Sequence, residues 1–130
     1  MVADAQPATG TIGTLAIVGV GLIGGSFALA LKRAGAVKRV IGVGRSRNNL
    51  ERARACGAVD VIAEDAAEAA AAAALVLVAV PVQQTERVLQ RVAAGMGPST
   101  VVTDAGSTKQ DVVAAARRAF GERIAQFVPA

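Results

Sequence analysis

Three glycines, Gly19, Gly21 and Gly24, stand between an apolar run at Leu15 to Val18 and an amphipathic segment from Phe27 to Ala34. Strand, glycine turn and helix in that order form the opening of a dinucleotide-binding βαβ unit. Gly19 serves the tight turn, Gly21 lets backbone amides approach a pyrophosphate, and Gly24 allows the helix to pack closely on the strand. Leu22 and Ile23 open the helix, whose first amides lack partners and whose dipole favours an anion. All five residues are candidate cofactor contacts.

A second chemical signal lies where a strand at Lys38 to Val43 ends, in the turn Gly44-Arg45-Ser46-Arg47. An NAD site places an acid about 20 residues beyond the glycines to accept hydrogen bonds from the ribose. No acidic residue occurs between Asp4 and Glu51. Without that carboxylate a 2'-phosphate is not repelled, and Arg45, Ser46 and Arg47 can bind it with charge-assisted hydrogen bonds. NADP is therefore favoured over NAD, with a permissive site and solvated arginines as the alternative.

The elements that must position these turns follow along the chain. Residues 1–13 mix Ala, Gln, Pro, Thr and Gly without periodicity and are expected to form a flexible N-terminal arm, and residues 14–130 a single dinucleotide-binding domain. Strands are expected at Thr14 to Gly19, Lys38 to Val43, Asp60 to Ala63, Leu75 to Val80, Ser99 to Thr103 and from Ile124 to Val128. Helices are expected at Leu22 to Ala34, Asn48 to Cys56, Glu64 to Ala74, Gln83 to Ala94 and Lys109 to Phe120. Leu75 to Val80 has no polar residue, the mark of a parallel strand buried on both faces. The alternation predicts an α/β fold of the Rossmann type, a doubly wound parallel sheet in three α/β/α layers with strand order 3-2-1-4-5-6. Ligands of such sheets sit beyond the carboxyl ends of the strands. That brings Val80 and Pro81, after the fourth strand, and the turn from Asp104 to Lys109, after the fifth, into the candidate site.

Composition narrows the classes. Hydrophobic residues make up 53% of the chain and aromatics 2%, so the core is built from Val, Ile, Leu and Ala. The longest apolar run, Ala69 to Val82, contains Pro81 and falls short of the roughly 18 residues of a membrane span. There is one cysteine and no histidine, so neither a disulfide framework nor a metal site is expected, and a cytoplasmic location is the default. The net charge is +4, and basic residues crowd between Lys32 and Arg54, where Glu51 is the only acid. Without aromatic interleaving or a helix-turn-helix pattern, a phosphate-bearing cofactor explains that cluster better than nucleic acid does.

Three stretches, GVGLIGGS at Gly19 to Ser26, AVP at Ala79 to Pro81 and DAGSTK at Asp104 to Lys109, make the chain resemble the cofactor domain of prephenate and arogenate dehydrogenases of tyrosine biosynthesis. The resemblance implies oxidative decarboxylation of a cyclohexadiene by hydride transfer, with prephenate or arogenate as the small-molecule substrate. It also implies that Ser107 lies between the nicotinamide and the substrate hydroxyl, as a catalytic and cofactor-contacting residue. A plain N-cap is the other reading of Ser107. Family members continue into a His-Pro motif carrying the catalytic base and then into a helical domain that dimerises. This sequence stops at Val128-Pro129-Ala130, so it is expected to bind cofactor without the histidine needed for turnover. Two other classes share the first glycine motif: a non-catalytic nucleotide-sensing module, which usually keeps an acid after the second strand, and a β-hydroxyacid-type dehydrogenase, which would differ in Gly106 to Lys109.

Overall fold

The computed structural model describes residues 12–19, 21–105 and 109–129. Its elements run β1 (Thr14–Val18), α1 (Leu22–Arg33), β2 (Arg39–Val43), α2 (Arg47–Ala55), β3 (Val61–Ile62), α3 (Ala66–Ala72), β4 (Leu75–Val78), α4 (Val82–Gly95), β5 (Val101–Asp104) and α5 (Lys109–Phe120), followed by a 3-10 helix at Gly121–Gln126. The strands form one parallel sheet in the order β3-β2-β1-β4-β5, with Ile17 paired to Gly42 on one side and Leu77 on the other. This is the expected Rossmann-like α/β/α sandwich, and the chain reverses its direction of travel across the sheet between β1 and β4.

Alternation along the strands feeds two cores. Leu15 and Ile17 of β1 face Ala28 of α1 and Leu50 and Ala53 of α2. Ala16 and Val18 face the other way, with Val76 and Val78 of β4, onto a layer that includes Ala69 and Ala70 of α3, Leu89 and Val92 of α4 and Ala116 of α5. Alanine predominates on α3 because that short helix is packed against the sheet and α4 at once, where larger side chains would not fit. Both faces of β4 are thereby covered, which is why its sequence carries no polar residue.

Several boundaries depart from the sequence reading, and three of the departures have a visible cause. β4 ends at Val78, since after the Ala79 amide donates to the Val18 carbonyl at 2.8 Å the chain leaves the sheet, and Pro81 has no N–H to extend the ladder. α3 begins at Ala66 because Asp65 is extended at φ −144° and occupies the N-cap position. The sixth strand is reduced to one parallel bridge, Val102 to Phe127, at the expected place beside β5. The residues before it wind into the 3-10 helix so that Arg123 can donate to the carbonyls of Ala93, Met96 and Gly97, and Gln126 to those of Gly97 and Thr100. The bonds to Ala93, Met96 and Gly97 satisfy carbonyls in and just beyond the last turn of α4, while the bond to Thr100 ties the segment to the entry of β5.

The edge of the sheet beyond β2 is fastened by Asp60. One carboxylate oxygen accepts from Lys32 Nζ at 2.7 Å and the other from the Val40 amide at 2.8 Å, while Lys32 also donates to the Gly57 carbonyl at 2.8 Å. Burial pushes the Asp60 carboxyl up, but the hydrogen bonds from Lys32 and Val40 and the charges of Lys32 and Arg39 outweigh it and hold the group below its ordinary 3.8. A depressed folded-state value means stability that is present above the unfolded-state value and is lost as the pH falls through the folded one. Unfolding midpoints are therefore expected to fall on acidification from about pH 5 to about pH 2. Asp60→Asn, measured by urea denaturation, should lower stability at neutral pH and flatten that acid dependence; a variant with the wild-type slope would show that Asp60 does not contribute to it.

Candidate cofactor site

The cavity at the carboxyl edge of the sheet is lined from beyond the ends of β1, β2, β3 and β4 and by one face of α4, and has a volume of about 630 Å³. Val18 and Gly19 enter it from β1, Val43 to Ser46 from β2, and Ala79 to Pro81 from beyond β4. It therefore straddles the point between β1 and β4 where the order of the sheet reverses, the usual ligand position in open α/β sheets.

Gly19 and Gly24 show why the turn needs its glycines. Gly19 has φ +95°, and a Cβ on it would meet the Ala79 carbonyl and lie 2.8 Å from Val80 Cγ1. A Cβ on Gly24 would lie 2.9 Å from Ile17 Cγ2 and 3.0 Å from the Gly19 carbonyl oxygen, so this residue brings α1 down onto β1. Gly21 differs: it lines the cavity, has an extended backbone at φ −134°, and a Cβ there would meet nothing within 4 Å. It is also the N-cap of α1, where no side chain caps the helix and the first turn holds no acid. The backbone of Leu22 and Ile23 opens that helix. An open glycine edge beside uncapped amides suits a pyrophosphate in both shape and charge.

At the β2 end, Arg45 and Ser46 line the cavity. Arg45 is exposed and, among the described residues, has no hydrogen bond or ion pair. The Ser46 hydroxyl caps α2 by accepting from the Asn49 amide at 3.2 Å, which leaves its proton free to be donated. Arg47 is not among the lining residues: its guanidinium lies 3.5 Å from Glu51 and 3.4 Å from Glu64. Val80 and Pro81 line the cavity, whereas Ser107 lies outside the described residues. Asp104 ends β5 and is buried. The described residues hold no cluster of metal-ligating side chains and no helix long and apolar enough to cross a membrane.

Sequence reasoning missed one wall. Gln84, Arg87, Val88 and Arg91 of α4 all line the cavity, at intervals of three and four residues that mark a single helix face. That spacing was visible in the sequence, but only the fold says which way the face points. Arg91 is neutralised by Asp65, with Nε 3.2 Å from one carboxylate oxygen, and this guanidinium holds Asp65 below the usual carboxylate range. Arg87, like Arg45, has no ion pair among the described residues. Glu64 and Asp65 bring two carboxylates into the same lining.

The family model for "Prephenate dehydrogenase, nucleotide-binding domain" matches residues 27–130. The prephenate dehydrogenase of Bacillus subtilis (strain 168) is 40% identical over 116 residues, covering 88% of this chain and 31% of that protein. The A. aeolicus prephenate dehydrogenase, solved with hydroxyphenyl propionate and NAD+, superposes with a TM-score of 0.81 at 27% identity, over 92% of this chain and 41% of that one. Synechocystis arogenate dehydrogenase superposes with a TM-score of 0.75 at 29% identity, over 83% of this chain and 38% of that one. The chain thus spans about a third of the length of the B. subtilis relative. On the extent of the family match, the chain belongs to the prephenate dehydrogenase family, as its nucleotide-binding domain.

Proposed function

We propose that this chain binds the nicotinamide dinucleotide of a prephenate or arogenate dehydrogenase, and that it takes NADP in preference to NAD. The observation that carries the cofactor choice is Arg45: it lines the cavity without an ion pair among the described residues, in a chain with no acid between Asp4 and Glu51. A guanidinium free of carboxylate partners has its donors available for a phosphate. Support for the dinucleotide itself comes from the open edge at Gly21, the uncapped α1 and the NAD+ held by the A. aeolicus relative.

In this reading the amides that open α1 hold the pyrophosphate, Arg45 and Ser46 hold the adenosine 2'-phosphate, and Val80 and Pro81 exclude water along the β4 side. The bound nicotinamide supplies the hydride acceptor for an oxidative decarboxylation. Ser107, three residues beyond the end of β5, orients the substrate hydroxyl toward it, as the family resemblance implies. No histidine exists among the 130 residues to take the hydroxyl proton. The part assigned to these residues is therefore binding and orientation, in a cytoplasmic setting.

Calorimetric titration of the chain with NADP+ and with NAD+ tests both halves. NADP+ is expected to bind at least about tenfold more tightly, the scale of one charge-assisted phosphate contact. Equal affinities, or NAD+ the tighter, would overturn the preference, and absence of binding by either would overturn the dinucleotide reading.

A further inference from the structure

We infer that Glu64, in the turn between β3 and α3, sets how strongly this site discriminates in favour of a 2'-phosphate. The inference rests on the dinucleotide reading and adds a residue that lies outside the β2 turn. Glu64 lines the cavity together with Arg45, Ser46 and Asn49. Its carboxylate is also 3.4 Å from the Arg47 guanidinium, whose Nε lies 3.5 Å from Glu51. The arginine that the sequence puts two positions after Arg45 is thus shared between two carboxylates and stands outside the lining.

Both consequences have the same sign. A 2'-phosphate carries close to two negative charges at neutral pH, so a carboxylate on the same wall repels it. The ion pair also keeps the Arg47 donors from the phosphate. The Glu64 side chain is 83% exposed, so water and salt weaken both effects, and they amount to a modest adjustment of affinity rather than a block. NAD lacks the 2'-phosphate and is largely indifferent to either effect. Glu64 therefore acts on the ratio of the two affinities.

The test compares dissociation constants for NADP+ and NAD+ in the wild-type chain, Glu64→Gln and the double variant Glu64→Gln/Arg47→Ala. Exposure of the side chain makes Glu64→Gln a change the fold tolerates. Glu64→Gln is expected to tighten NADP+ about threefold to tenfold while NAD+ stays within about twofold. Adding Arg47→Ala should remove the share of that gain that comes from the released guanidinium and leave the share that comes from lost repulsion. If the NADP+ to NAD+ ratio is the same in Glu64→Gln as in wild type, the inference is overturned while the dinucleotide reading stands. A gain undiminished in the double variant overturns the role given to Arg47. If the wild-type chain binds neither nucleotide, the dinucleotide reading and this inference fall together.

Discussion

Arg45→Ala is expected to weaken NADP+ binding by about tenfold to a hundredfold and to leave NAD+ within about threefold, so that the preference collapses. The magnitude follows from what is lost. A guanidinium without a carboxylate partner gives up no protein contact when it engages a phosphate, and one strong charge-assisted contact is worth about 1.5–3 kcal/mol. Arg47→Ala should cost much less, because that guanidinium already lies 3.5 Å from Glu51 and 3.4 Å from Glu64. Rising salt should narrow the gap between the two nucleotides, because NADP+ affinity falls more steeply with ionic strength. Isothermal titration at two salt concentrations checks all of these. An Arg45→Ala chain that keeps the wild-type ratio would remove Arg45 from the cofactor site and with it the argument for NADP.

The glycine turn was legible because its requirements are local. Spacing alone put Gly19, Gly21 and Gly24 between strand and helix, and φ +95° at Gly19 and the contact of Gly24 with Ile17 show the backbone reasons for that spacing. β4 was legible for a different reason: a strand buried on both faces leaves no polar residue in its sequence. What the sequence did not show involves partners far away in the chain. Ile124 to Val128 has a strand-like composition, yet Arg123 and Gln126 are drawn into side-chain bonds with carbonyls 26 to 30 residues earlier, and the chain coils to make them. Arg47 reads as a phosphate ligand from its position beside Arg45. Only the tertiary approach of the β3–α3 turn shows that Glu64 engages it. The α4 wall is intermediate, since the periodicity of Gln84, Arg87, Val88 and Arg91 was present in the sequence while its direction depended on packing against α3.

Gly19→Ala and Gly21→Ala separate the part of the turn that holds the fold from the part that receives a ligand. At Gly19 a Cβ requires a left-handed backbone costing about 1–3 kcal/mol and collides with the Ala79 carbonyl and with Val80, at the seam between β1 and β4. The sheet would have to part there to relieve the overlap, so a total of about 3–5 kcal/mol is expected, a large share of the 5–15 kcal/mol typical of a domain. The thermal midpoint should drop by about 10–20 °C. At Gly21 the backbone is extended and the Cβ meets no protein atom within 4 Å, so the midpoint should move by no more than a few degrees. The added methyl would occupy the cavity edge beside the α1 amides, and affinity for both NADP+ and NAD+ should fall together by tenfold or more, since both carry the same pyrophosphate. Scanning calorimetry and titration on the two variants give four outcomes that must agree. Gly21→Ala with wild-type affinity for both nucleotides would show that the open edge of the turn is not where a pyrophosphate binds, whatever Gly19→Ala does to the fold.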